Sequence, residues 1–88
     1  MSWTCKFTTD AEHDLRDLPK AIQRRVGRVI DQMQADPFQG SIKALQGEEW
    51  KGVYRRRIGN YRILFAIEHA HETVHVLRIL LRSGKTYR

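Results

Sequence analysis

The chain of 88 residues allows one domain with a modest core, and a composition of 41% hydrophobic and 30% charged residues excludes a disordered chain. Its net charge of +6 indicates a polyanionic partner, and the positive excess lies in residues 50–88, where nine lysines and arginines accompany two acidic residues. The single cysteine, Cys5, excludes an internal disulfide. The amino terminus lacks a basic region followed by an apolar run, and no stretch is long enough for a membrane span, so a cytoplasmic location is expected.

The first predicted element is a strand over residues 2–8. Trp3, Cys5 and Phe7 alternate with threonine and lysine, which is the period of a strand with one buried face. Cys5 is therefore interpreted as a packed thiol rather than a nucleophile.

Two helices are predicted next. Thr9 and Glu12 have the spacing of a capping box, which starts a short helix that runs to about Leu18. Pro19 suits the first turn of a second helix, because its missing amide hydrogen is not needed there. Apolar residues recur at helical spacing behind it until Asp36 and the proline that follows end the helix.

The remainder of the chain has a β pattern. Residues 37–50 contain proline and glycine and predict a loop, with a short strand at 42–45 as an alternative. Residues 53–58, 61–68 and 73–81 predict three strands joined by short turns. The prediction is an α+β domain in which an N-terminal strand, a two-helix hairpin and a three-stranded antiparallel meander form one four-stranded sheet.

Four arginines in the segment 54–63 are the most unusual feature of the sequence. Arg55, Arg56 and Arg57 are consecutive in one predicted strand, and Arg62 follows a tight turn. Because side chains alternate across a sheet, Arg55 and Arg57 point to one face, about 7 Å apart, while Arg56 points to the other.

Arg82 lies at the end of the last predicted strand, directly after residue 81, so that it and Arg62 can approach Arg55 and Arg57 on one concave surface. Converging guanidinium groups repel one another unless an anion is bound, and a phosphate matches the bidentate geometry of arginine. The surrounding sequence lacks carboxylates that would neutralise the cluster. This favours a nucleic-acid site over scattered surface charges.

Two further groups of residues are less informative. Tyr87, in the basic segment 82–88, is a core residue, a base-stacking platform or a proton carrier, and the residues alone favour the structural role. His69, His71 and His75 crowd one hairpin, but no cysteine or carboxylate set completes a tetrahedral zinc site. The histidines are interpreted as solvated turn residues, and no metal or cofactor is predicted.

Several motifs together resemble the RelE-type toxins of the RelE/ParE superfamily. They are the tryptophan-bearing first strand, the capped helix, Asp36-Pro37, Leu45-Gln46-Gly47, the segment from Tyr54 to Ile63 and the segment from Arg82 to Tyr87. The resemblance covers nearly the whole chain and implies a single RelE-like domain over residues 1–88. It implies a toxin of a type II toxin–antitoxin pair that cuts messenger RNA in the ribosomal decoding site and is inhibited by a cognate antitoxin.

The resemblance also implies roles for particular residues. Arg62 and Arg82 match arginines that stabilise the transition state, and Tyr87 matches a tyrosine that contributes to catalysis and stacks on a base. Arg55 and Arg57 match basic positions that hold the scissile phosphate, and Arg57 is counted with the catalytic residues. The neighbouring basic residues predicted to bind RNA are Lys51, Arg56, Lys85 and Arg88.

The sequence departs from the RelE pattern at Val53 and Arg55, where lysine is usual. Arginine is a poor general base because it does not lose its proton near neutral pH, so the general base is not identified. The implied mechanism is metal-independent attack of a ribose 2′-hydroxyl on its own phosphate, with guanidinium groups opposing the developing charge. Two alternatives remain open, a ParE-like inhibitor of DNA gyrase and a noncatalytic basic module that binds RNA or protein.

Overall fold

A computed structural model describes residues 2–40 and 42–81. These residues form two helices and five strands, in the order β1 (Thr4–Phe7), α1 (Thr9–Arg16), α2 (Lys20–Ala35), β2 (Ile42–Ala44), β3 (Val53–Ile58), β4 (Tyr61–Glu68) and β5 (Thr73–Leu81). Single 3-10 turns at Glu48–Trp50 and His69–His71 precede β3 and β5. The predicted α+β class is confirmed. In the described part of the chain, no helix is long and apolar enough to cross a membrane.

The strands form one mixed sheet in the order β1-β5-β4-β3-β2. Strands β2 to β5 pair antiparallel with one another, and β1 joins the edge of the meander parallel to β5. The predicted number of strands, four, is wrong. The sheet has a fifth strand, because residues Ile42–Ala44 pair with β3. This strand has three residues, too few for an alternating pattern, and its pairing with β3 defines it.

Helix α1 begins one residue earlier than the predicted capping box. The N-cap is Thr8, whose hydroxyl oxygen accepts a hydrogen bond from the amide of Ala11 at 3.1 Å. The predicted pair of Thr9 and Glu12 therefore does not form the cap, because Thr9 already belongs to the first turn. A side-chain oxygen at the N-cap position satisfies one of the free amides of the first turn.

The side chain of Gln23 links helix α2 to the end of α1. Pro19 is the N-cap of α2, one position before the predicted first turn. The side-chain amide of Gln23 donates to the carbonyl oxygens of Leu15 and Leu18, at 3.0 Å each. These carbonyls lie at the end of α1 and in the linker, where helical partners are missing. Asp36, in extended conformation, ends α2 as predicted.

The core lies between the two helices and one face of the sheet. Phe65 and Ile63 of β4 are fully buried at its centre. The other core residues are Ala11, Val26, Met33, Ile58, Val74, Val76 and Ile79. Burial of a large apolar side chain such as Phe65 contributes about 1.5–3 kcal/mol. Since side chains alternate along a strand, the residues between these positions point to the opposite face of the sheet.

Candidate nucleic-acid interface

The alternation along β3 divides three consecutive arginines between the two faces of the sheet. Arg57 is exposed and Arg55 is half-buried, whereas Arg56 retains only 8% of its exposure. Arg55 and Arg57 also line one cavity, from which Arg56 is absent. The structure confirms that Arg55 and Arg57 share the face away from the helices, and that Arg56 points towards them.

Strand β4 adds Arg62 to the same face. In the antiparallel register Arg62 is directly opposite Arg57. Directly opposed residues have side chains on one face, with Cβ atoms about 4.5–5.5 Å apart. The strands are joined by a turn at Gly59, whose φ of 56° is readily adopted by glycine. This turn sets the register that brings Arg57 and Arg62 together.

Strand β2 adds Lys43, which is not among the site residues predicted from the sequence. Lys43 is exposed and lies directly opposite Arg55. Its presence in the cluster depends on the pairing of β2 with β3, which no local pattern indicates. The alternative short strand at 42–45 is the available signal, since any strand there paired with β3 presents a lysine to one face.

A cavity of about 340 Å³ lies beside these cations and is lined by Ile42, Lys43, Arg55 and Arg57. Within residues 2–40 and 42–81, the carboxylates that form ion pairs are Glu68 and Asp14, and neither pairs with any of these three cations. Like charges directly opposite each other in a sheet are destabilising. An anion in this cavity would relieve that repulsion, and a phosphate group is suited to it.

Arg56 contributes to the fold on the opposite face of the sheet. Its Nη2 atom donates a hydrogen bond of 2.6 Å to the Oε1 atom of Gln32 in α2. Burial lowers the pKa of the Arg56 guanidinium. A Cβ atom placed on Gly40 would lie 3.0 Å from the guanidinium carbon of Arg56, so this side chain also packs beneath the loop that leaves α2. The structure does not bring Arg56 to the surface that Arg55 and Arg57 share.

Lys51 lies apart from the cluster. It follows the turn Glu48–Trp50 and lines a second cavity, of about 520 Å³. The other lining residues are Leu45, Gly47, Glu48 and Gly52. The structure therefore does not place Lys51 in the cavity that Arg55 and Arg57 line.

The four predicted site residues Arg82, Lys85, Tyr87 and Arg88 lie outside the described residues. The described part of β5 ends at Leu81, and Leu80 is directly opposite Arg62. In the sequence, Arg82 is therefore two positions after Leu80, the residue opposite Arg62. Their predicted roles remain predictions.

His69, His71 and His75 all contact other side chains near the C-terminal end of β4. Glu68 pairs with Nε2 of His75 at 2.9 Å and with Nδ1 of His71 at 2.5 Å. The hydrogen bond from His75, followed by that from His71, lowers the pKa of the Glu68 carboxyl. His69 stacks on Phe38, with ring centroids 5.9 Å apart. His69 and His71 are exposed in the turn, as predicted, whereas His75 is half-buried in β5.

Comparison with known proteins gives a consistent set of similarities. The family model of the ParE toxin of the type II toxin–antitoxin system, parDE, matches residues 5–85. Toxin RelG from Mycobacterium tuberculosis is 35% identical over 80 residues, which cover 90% of this chain and 90% of that protein.

Solved structures of toxin–antitoxin complexes are similar over most of their toxin chains. For the complex RelBE2 from Mycobacterium tuberculosis the TM-score is 0.83 at 34% identity, covering 93% of this chain and 100% of that chain. For the archaeal RelE-RelB complex from Pyrococcus horikoshii the TM-score is 0.79 at 25% identity, covering 98% and 100%.

Proposed function

Since this chain belongs to the ParE toxin family of type II toxin–antitoxin systems, we propose that it is an endoribonuclease that cuts messenger RNA in the decoding site of the ribosome. The observation that carries the proposal is the cluster of Lys43, Arg55 and Arg57 on one sheet face, beside a cavity and without carboxylate partners among the described residues. An RNA backbone supplies closely spaced phosphates for such a cluster.

The proposed reaction is an internal transfer at phosphorus. The 2′-oxygen of a ribose loses its proton and attacks the adjacent phosphorus, the bond from phosphorus to the 5′-oxygen breaks, and that oxygen takes up a proton. The products are one RNA with a 2′,3′-cyclic phosphate and one with a free 5′-hydroxyl. Arg57 and Arg62, directly opposite each other, donate to the nonbridging oxygens, on which negative charge increases in the transition state.

Proton transfer needs groups other than these arginines, because a guanidinium does not lose its proton near neutral pH. The resemblance assigns transition-state stabilisation to Arg82 as well, and a contribution to catalysis with base stacking to Tyr87. Positioning of the messenger by the ribosome supplies the rest of the rate acceleration, since correct placement alone can lower a barrier by about 7–11 kcal/mol. We therefore expect little cleavage of free RNA.

The proposal includes a protein partner. The similar structures named above are complexes of a toxin with an antitoxin, RelBE2 in one and RelE-RelB in the other. By extension, a cognate antitoxin binds this chain and blocks its activity in the cytoplasm. Expression of the chain without that antitoxin is expected to arrest growth.

One observation favours a second candidate function. The family model that matches residues 5–85 is described as the ParE toxin of parDE, which fits an inhibitor of DNA gyrase. Such a protein would bind gyrase and leave messenger RNA intact. The arginine pair on β3 and Arg62 on β4 favour the nuclease, because a gyrase inhibitor does not need an arrangement for phosphoryl transfer.

The deciding experiment is primer extension on a defined message in a purified translation system, run beside a gyrase cleavage assay with the same protein. Discrete breaks in the decoding site that disappear with Arg62→Ala support the nuclease. Intact message together with trapped gyrase–DNA complexes would replace it by the second candidate. A variant with Arg24→Ala, an exposed arginine of α2, is the matched control.

A further inference from the structure

We propose that Lys43 binds the phosphate next to the scissile one, so that the sheet holds two consecutive phosphates of a single RNA strand. This inference rests on the proposed function, in which Arg57 and Arg62 bind the scissile phosphate. Lys43 is then a positioning residue, with no part in proton transfer.

The cationic surface is wide enough for two phosphates. Lys43 lies on β2, Arg55 and Arg57 lie on β3, and Arg62 lies on β4. Neighbouring strands are about 4.7–4.9 Å apart, so the two outer strands of this trio are about 10 Å apart. A charge-assisted hydrogen bond to phosphate is about 2.7–2.9 Å long. Cationic side chains on two strands about this far apart are better matched to two phosphates than to one.

The cavity is positioned to take a flanking nucleotide. Lys43, Arg55 and Arg57 line it, and Arg62 does not. The cavity thus lies over β2 and β3, to one side of the directly opposed pair of Arg57 and Arg62. Its volume of about 340 Å³ is within the range of pockets that hold small ligands. A nucleotide flanking the cleavage point would occupy it.

The charge of the cluster also matches two phosphates better than one. A phosphodiester has one negative charge, whereas Lys43, Arg55 and Arg57 supply three positive charges that no carboxylate of the described residues neutralises. One phosphate would leave two of these charges unbalanced in close proximity. A second phosphate beside Lys43, which is directly opposite Arg55, halves that imbalance.

The chemistry of lysine fits a flanking phosphate. An ammonium on a flexible stem binds phosphate as a point charge, whereas a guanidinium supplies fixed bidentate geometry. The scissile phosphate changes its geometry during the reaction, and the flanking phosphate does not. Removal of the Lys43 ammonium should therefore weaken RNA binding without slowing the chemical step.

The binding test uses the full chain and a short single-stranded RNA that cannot be cleaved because its reacting ribose is 2′-deoxy. The dissociation constant is measured by fluorescence anisotropy over a range of salt concentrations. Removal of one cation that neutralises a phosphate of single-stranded RNA reduces the slope of log affinity against log salt by about 0.7. We expect this reduction for Lys43→Gln. The matched control is Lys6→Gln, an exposed lysine on β1 at the opposite edge of the sheet, and its slope should not change.

A second binding measurement counts phosphates directly. Wild type should bind a deoxy-substituted trinucleotide, with two phosphates, more tightly than a dinucleotide with one. Lys43→Gln should bind both with similar affinity. Equal salt slopes for Lys43→Gln and Lys6→Gln, or an undiminished preference of Lys43→Gln for the trinucleotide, would overturn the inference.

Ribosome-dependent cleavage separates this inference from the function on which it rests. For Lys43→Gln we expect a several-fold higher KM with an unchanged kcat at saturating protein. A fall in kcat would mean that Lys43 takes part in chemistry and would overturn its positioning role. Failure of wild type to cleave any message would overturn the proposed nuclease, while the salt slopes and the trinucleotide preference would still report whether Lys43 binds a second phosphate.

Discussion

Asp14 of α1 and Arg78 of β5 form a salt bridge that closes an otherwise open edge of the sheet. The carboxylate accepts from Nε of Arg78 at 2.7 Å and from Nη2 at 3.2 Å. It also accepts from the backbone amide of Ile79 at 2.9 Å. Strand β1 pairs with β5 only as far as Val76 of β5. Beyond that residue, the neighbour of β5 is helix α1. Asp14 thus supplies the Ile79 amide with an acceptor beyond the point where β1 ends.

Replacement of Asp14 by alanine should destabilise the fold by about 1–3 kcal/mol, because it removes a charge-assisted hydrogen bond and leaves the Ile79 amide without its partner. The free energy of unfolding is measured by urea denaturation. Asp14→Asn, which keeps one acceptor oxygen, should be destabilised less. Asp31→Ala, at an exposed carboxylate of α2, is the control and should stay near wild type. Equal stability of Asp14→Ala and Asp31→Ala would refute this role of Asp14.

The same salt bridge predicts a pH dependence. Burial of Asp14 acts to raise its pKa, but the hydrogen bonds from Arg78 and the Ile79 amide outweigh it, so the pKa lies below its ordinary value of 3.8. A lowered folded-state pKa contributes stability above the unfolded-state pKa, and that contribution is lost as the pH falls through the folded-state pKa. The difference in unfolding free energy between wild type and Asp14→Ala should therefore be full at pH 7 and shrink below about pH 3.8. If this difference in unfolding free energy instead widened as the pH fell, the pKa of Asp14 would be raised by folding and not lowered.

Arg56 should behave as a structural arginine although its neighbours in sequence are proposed to bind RNA. It is almost buried and donates to Gln32, so Gln32→Ala should destabilise the fold by about 1–3 kcal/mol by leaving the buried guanidinium without its acceptor. The double variant Gln32→Met with Arg56→Met should be closer to wild type, since removal of both partners leaves no stranded charge. Chemical denaturation measures both.

RNA binding distinguishes Arg56 from Arg55 through one methionine substitution at each position. Arg56→Met should keep the wild-type salt dependence of RNA affinity, whereas Arg55→Met should reduce the slope by about 0.7. A reduced slope for a folded Arg56→Met would restore the prediction that Arg56 binds phosphate.

The sequence predicts the elements of this fold better than their pairing. Hydrophobic period and turn residues predict both helices and four of the strands, because these features depend on neighbouring residues. The parallel pairing of β1 with β5 and the strand β2 depend on contacts between distant parts of the chain. A three-residue strand such as β2 has no period to detect.

The candidate site shows the same limit. Alternation predicts that Arg55 and Arg57 share a face and that Arg56 does not. It does not predict that Gln32 accepts from Arg56, because Gln32 is a polar residue of α2 like its neighbours. Nor does it predict Lys43, whose place opposite Arg55 follows from a register between strands separated by a long loop.

A double-mutant cycle on Arg57 and Arg62 tests whether these opposed residues act on one phosphate. Each glutamine substitution should lower the rate of ribosome-dependent cleavage at saturating protein by about 10²–10³-fold, as expected when one donor to a developing oxyanion is removed. If both donate to the same phosphorane, the double variant should lose far less than the product of the single losses, because one missing donor already disrupts the arrangement. Lys43→Gln combined with Arg62→Gln should instead give additive effects on kcat/KM, since these residues bind different phosphates. Thermal denaturation confirms that each variant is folded. Additive losses for Arg57 and Arg62 would place them on separate groups, and the proposed assignment of both to the scissile phosphate would then be wrong.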